Sequence, residues 1–195
     1  MDGRIFARER SRLLPVPANP PILILTGPPG VGKTTIAEIL AARWPRAVHL
    51  ESDVFFRFIR SDYIEPWRPE SHEQNRVVMD IVGDAAAAYA TAGYRTIVDG
   101  IVIPGWFLAP LRDRLHEAGH PVAYAVLRAP LAVCTARVQS REGLPPVDSG
   151  ALAQLWESFA DLGELEHHAL DVGDREPGEA ADLVARSLAD GQLAV

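Results

Sequence analysis

Ile22-Leu23-Ile24-Leu25-Thr26-Gly27-Pro28-Pro29-Gly30-Val31-Gly32-Lys33-Thr34 changes its pattern halfway along. The run Ile22 to Thr26 is short, apolar and branched, which suits a strand covered on both faces. The octapeptide Gly27 to Thr34 matches G-x-x-x-x-G-K-[ST] in full. Beyond it Ile36, Ile39 and Leu40 recur at helical spacing until Pro45 ends the segment. Strand, glycine-rich turn and helix, in that order, are what this octapeptide needs in order to wrap a phosphate. The glycines let the backbone turn its N–H groups inward, and the helix N-terminus adds partial positive charge. On this reading Gly27, Gly30, Val31, Gly32, Lys33, Thr34 and Thr35 hold the phosphates of a nucleotide. Lys33 reaches the β and γ phosphates, and Thr34 offers its hydroxyl to a Mg²⁺ that bridges them. The bland alternative is a glycine-rich turn with no ligand. Against it stands the composition: of 19 basic residues only Lys33 is a lysine, so a chain that uses arginine everywhere else keeps an ammonium at this position.

Outward from this stretch the alternation repeats. Ala47 to Leu50, Arg95 to Asp99 and Val122 to Leu127 read as further strands, and His168 to Val172 as a short fifth. Helical patterns cover Thr34 to Trp44, Val54 to Arg60, Glu70 to Ala92, Pro104 to Ala118, Leu131 to Ser140, Ser149 to Leu165 and Glu179 to Ala189. Strands that alternate with helices imply an α/β fold in three layers around a mostly parallel sheet. Residues 1–19, rich in proline and arginine, read as an arm outside a single domain over 20–195.

With 195 residues, 48% hydrophobic and 23% charged, the chain can bury one substantial core. No apolar run approaches the ~20 residues that span a bilayer, and the N-terminus lacks a secretory pattern, so the sequence reads as cytoplasmic and without a membrane partner. Cys134 has no cysteine to pair with and no Cys/His cluster beside it, and it reads as a small apolar residue on a helix. The net charge of −7 argues against nonspecific nucleic-acid binding. From Ala151 onward ten acids face only Arg175 and Arg186, so a basic pocket belongs to the first part of the chain.

Four other positions carry candidate chemistry. Asp53 falls just after the second strand, where parallel sheets open their ligand crevices; it is either a base toward a hydroxyl or a cap for the helix that follows. Asp99 closes the apolar third strand and would serve a metal ion through water, contact the acceptor, or simply turn the chain with Gly100. Arg137 and Arg141 lie four apart, on one helix face, ahead of a loop with Gly143, Pro145 and Pro146; they are either a phosphate-covering pair or solvated. Phe55, Phe56, Arg57, Phe58, Tyr63, Trp67, Trp106 and Phe107 could line a pocket for a partly apolar, hydroxylated molecule or join the core. His167 and His168 read as a surface pair.

The phosphate loop, Asp53, Arg57 and Arg60, and the late Arg137 and Arg141 together resemble the small P-loop phosphotransferases. That group includes chloramphenicol phosphotransferase, gluconate and shikimate kinases, zeta toxins and tunicamycin-resistance proteins. The resemblance covers roughly Ile22 to Leu188. It implies a five-stranded P-loop NTPase fold of sheet order 2-3-1-4-5 with a small lid at about 137–150. It also implies ATP and Mg²⁺ as cofactors and a small-molecule hydroxyl as acceptor. In its terms Lys33, Asp53, Arg137 and Arg141 are catalytic, with Asp53 the base and the arginines the lid. Thr34 and Asp99 attend the metal, and Asp53, Arg57 and Asp99 the acceptor. A Ras-type GTPase is excluded, because its base-reading Asn-Lys-x-Asp motif needs a second lysine. An AAA-type motor needs a helical lid domain for which 195 residues leave too little chain. The rival readings are a zeta-like nucleotide-sugar kinase and a nucleotide-binding regulatory protein without transfer.

Overall fold

A computed structural model describes residues 19–140 and 149–195. Most of the N-terminal arm, Arg141 and most of the expected lid lie outside the described residues. Five strands, β1 (Ile22–Thr26), β2 (Ala47–Glu51), β3 (Arg95–Asp99), β4 (Val122–Arg128) and β5 (Ala169–Asp171), form one sheet of order β2-β3-β1-β4-β5. Every strand pair is parallel, as the resemblance implied. The helices are α1 (Lys33–Ala42), α2 (Ser52–Phe56), α3 (His72–Thr91), α4 (Ala109–Glu117), α5 (Leu131–Gln139), α6 (Ser149–Glu157) and α7 (Pro177–Ala189). No helix among the described residues is long and apolar enough to cross a membrane.

The continuous apolar character of β1 has a direct cause. All five of its residues are buried, because alternate side chains enter two separate cores. Ile22 and Ile24 pack with Val98, Tyr124 and the inner faces of α3 and α4, while Leu23 and Leu25 pack with Ile97, Leu127 and residues of α1, α5 and α7. The sheet is therefore the middle of three layers. The helix after β1 covers one face and the helix after β3 covers the other, although β1 and β3 are neighbours. The chain parts at that point, and a crevice opens beyond the carboxyl ends of the two strands.

Some sequence boundaries shift for local reasons. The helix expected over Ser149 to Leu165 stops at Glu157. Phe159 there turns into the core at 1% exposure, and Asp161 takes a hydrogen bond from the Gly163 N–H at 2.8 Å, closing a turn. The helix expected from Pro104 opens with a π-helical turn, Pro104–Leu108, before α4. His168 is not a surface residue. It is 1% exposed, and its Nδ1–H donates to the Tyr124 carbonyl at 3.0 Å. Burial, reinforced by His167, pushes its imidazole pKa down. Arg128 is structural: its guanidinium donates to the Phe159 and Ala160 carbonyls and pairs with Glu166.

Candidate active site

The phosphate loop hangs between β1 and α1, and its shape is set by close packing against β4 and α5. Gly27 has φ +142° and Gly30 φ +81°, both in the region that side chains avoid. A Cβ on Gly27 would stand 2.4 Å from the Leu127 carbonyl oxygen, and one on Gly30 would stand 2.3 Å from that of Cys134. The backbone can thus approach its neighbours only where a side chain is missing. Cys134 is the buried support of this contact, and burial pushes its thiol pKa up. At the start of α1 the Lys33 ammonium donates to the Gly27 and Pro28 carbonyls at 3.0 and 3.2 Å.

Parallel pairing sets Asp99 level with Leu25 of β1 and Glu51 of β2, at the mouth of the crevice. The Thr34 hydroxyl donates to Asp99 Oδ2 at 2.8 Å, and His49 Nε2 lies 3.1 Å from the same oxygen. Asp99 is 3% exposed, yet its Oδ1 is buried with no partner. A buried carboxylate oxygen without a donor calls for a cation or an ordered water. Beside a threonine hydroxyl it forms the all-oxygen donor set that a hard ion such as Mg²⁺ takes, alongside water and phosphate oxygens. Thr34 and Asp99, singled out separately in the sequence, are in direct contact. His49 was missed; its signal was a polar residue on a strand otherwise flanked by apolar ones.

Three spaces surround the loop. The phosphate cradle, about 60 Å³, is lined by Gly30, Gly32, Lys33, Thr34, Asp53 and Asp99. A second, about 140 Å³, lies on the far side of the loop between Thr35, Arg137, Val172 and Arg175. Arg137 spans it, donating to the carbonyls of Val31 at 3.2 Å and Gly173 at 3.4 Å, and so ties the loop to the turn after β5. The third is a cleft of about 460 Å³ running from Asp53 between α2, α3 and α6. Phe56, Arg57, Tyr63, Trp67, Trp106 and Phe107 line it. Phe58 is instead 67% exposed outside it. Ala151 and Leu155 of α6 also face the cleft, which no spacing in the sequence could indicate.

Asp53 borders both cradle and cleft. The helix α2 begins at Ser52 with Glu51 at its N-cap, and no side chain caps it. Asp53 therefore sits in the first turn, exposed, instead of serving as a cap. Burial, then Glu65 and Asp53, push the Tyr63 phenol pKa up, so at neutral pH it is a hydroxyl donor. Arg57, one turn beyond Asp53, lines the cleft.

The family described as "AAA domain" matches residues 22–162. A tRNA dimethylallyltransferase from Cupriavidus taiwanensis is 27% identical over 168 residues, which is 86% of this chain and 48% of that protein. The chain spans about half the length of the curated relatives it matches. Among solved structures, the tunicamycin resistance protein of Deinococcus radiodurans superposes with a TM-score of 0.67 at 23% identity, covering 87% of this chain and 96% of that one. Shikimate kinase from Acinetobacter baumannii in complex with shikimate gives 0.61 at 19% identity, covering 89% and 96%. The fold is that of the small P-loop kinases.

Proposed function

The chain belongs to the AAA domain family of P-loop proteins, and from that premise we propose an ATP- and Mg²⁺-dependent phosphotransferase that moves the γ-phosphate to a hydroxyl of a small molecule. One observation carries this reading: Asp53 stands on the border between a phosphate cradle and a cleft large enough for a second substrate. In the proposed reaction the acceptor oxygen attacks the γ-phosphorus, the bond from that phosphorus to the β–γ bridging oxygen breaks, and ADP leaves. The acceptor's proton passes to Asp53. Lys33 exchanges its loop carbonyls for phosphate oxygens and offsets their charge, while the loop N–H groups orient the triphosphate. Thr34 and Asp99 would hold Mg²⁺, which supplies charge neutralisation on the β and γ phosphates. Arg137 contacts the loop from the side of the second space and would steady the nucleotide there. Arg141 keeps its proposed role over the phosphates, and Arg57 its role toward the acceptor.

The tRNA in the relatives' name is said of proteins of which this chain spans about half; the small-molecule reading rests on the cleft beside Asp53. The test is ADP release from ATP and Mg²⁺ across a panel of hydroxylated antibiotics, sugars, nucleosides and nucleotide sugars, with Asp53→Asn as the blank. At least one acceptor should raise turnover, and the blank should lose on the order of 10²- to 10⁴-fold of it while still binding ATP. Equal turnover in Asp53→Asn removes Asp53 as the base. Tight ATP binding with no acceptor-stimulated turnover moves the protein to the regulatory reading.

A further inference from the structure

The cleft beside Asp53 differs from the cradle in chemistry as well as in size. Five aromatic side chains enter it from three stretches of chain: Phe56, Tyr63 and Trp67, then Trp106 and Phe107. The Trp106 and Phe107 rings are in contact, with centroids 4.6 Å apart. Trp67 and Tyr63 remain 48% and 46% exposed, so these large rings face water at the mouth and do not belong to the folding core. A concave surface of this kind, within the ~300 to 1,000 Å³ of ligand pockets, is where an apolar ligand gains most.

The polar inventory is small. Among the described residues that line the cleft, Arg57 is the one cation and Asp53 the one anion. Asn75 also lines it, but both N–H groups of its amide are committed, to the Pro66 carbonyl at 2.7 Å and the Ser71 hydroxyl at 2.8 Å. Besides these, the Ser52 and Tyr63 hydroxyls are the polar side-chain groups beside the rings, so a polyol would find few partners against a mainly aromatic wall, and a nucleotide would bring several negative charges to one guanidinium. The way from the rings to the cradle is narrow in kind as well: Pro29, Asp53 and Ile101 border both spaces. A molecule held on the rings therefore presents its reacting group to the cradle beside a carboxylate.

We propose that the acceptor is an aromatic alcohol, neutral or singly anionic, whose ring system lies among Tyr63, Trp67, Trp106 and Phe107 and whose hydroxyl reaches Asp53. This rests on the phosphotransferase reading for the reaction, but not for the binding, and the two are separable by experiment.

Naphthylmethanol, gluconate, shikimate and UDP-N-acetylglucosamine are titrated into the full chain without nucleotide, and their affinities are read by ligand-detected NMR. Naphthylmethanol should bind saturably and at least ~10-fold more tightly than the three polar compounds. Trp67→Gln, a change at the exposed rim, should weaken it about tenfold and Trp67→Phe should restore most of the affinity, as expected for an aromatic anchor. Tighter binding of any polar compound, no binding of naphthylmethanol, or a Trp67→Gln protein of unchanged affinity overturns the proposal. ADP release is then followed with aryl alcohols and with the polar compounds. Turnover with the polar compounds alone overturns the aromatic acceptor and leaves phosphotransfer standing. Aryl alcohol binding that depends on Trp67, with no turnover from any hydroxyl compound, leaves the cleft assignment standing and sinks phosphotransfer.

Discussion

The phosphate cradle takes its loop from eight consecutive residues whose backbone does the shaping, closed by Asp53 and Asp99, whereas the cleft draws its rings from α2, the loop after it and the turn before α4, with Leu155 added from α6. The two meet at Asp53. In the loop of the cradle, shape depends on where side chains are absent: a methyl group at Gly27 or Gly30 has nowhere to go. In the cleft, side chains are the whole of the surface, and none is held by a positive φ. One half of the site is therefore intolerant of substitution, while the exposed rim of the other, Tyr63 and Trp67, can be changed without disturbing the core that Met79 and Phe107 belong to.

The sharpest way to break this contrast is Lys33→Ala. It should abolish transfer and weaken ATP by about a hundredfold, the scale of losing charge-assisted hydrogen bonds; retained ATP affinity, measured by equilibrium dialysis, would contradict the cradle assignment. Gly30→Ala comes next. With its Cβ 2.3 Å from the Cys134 oxygen and φ at +81°, it should cost roughly 3 kcal/mol in urea unfolding. A neutral result would mean that the loop is softer than its packing implies, and the contrast with the cleft would fade.

The smallest effect lies outside both halves, at His168. Its imidazole pKa is lowered in the folded chain, so it folds neutral and the unfolded chain binds more protons. The stability it contributes is present above the unfolded value of about 6.5 and is lost as the pH falls from there through the folded value. The midpoint temperature of the wild type should drop between about pH 7.5 and 5, and His168→Phe should flatten that drop. An identical slope in both proteins would rule out a contribution from this residue.

How far each half could be read from sequence follows from the same difference. The loop of the cradle was legible because its residues are consecutive and the pattern names each of them, whereas its other walls, at Glu51 and Asp53 and from Asp99 to Ile101, come from elsewhere in the chain. Sheet order came with the resemblance, and both aspartates were found at strand ends, where apolar runs stop. The contact between Thr34 and Asp99 spans 65 positions and the pairing of β1 with β3 creates it, so the sequence offered the two residues but not their bond. His49 escaped for the same reason, since its partner Asp99 lies on the adjacent strand. In the cleft, Phe56 and Phe58 have the same residue type and are two apart, yet one faces the cleft and the other faces solvent. Nothing local to the sequence separates them, because α2 ends at Phe56 and the chain then turns away.

The solitary ammonium of Lys33 has a practical side. Apart from the terminal α-amine it is the chain's one primary amine, and it sits at the first residue of α1. An amine-acylating reagent therefore has a single side-chain target, and a protease that cuts after lysine has a single bond, Lys33–Thr34. Protection of that bond and of that amine by a bound triphosphate would be read as one mass, so the chain carries a footprinting probe in the position where occupancy matters most.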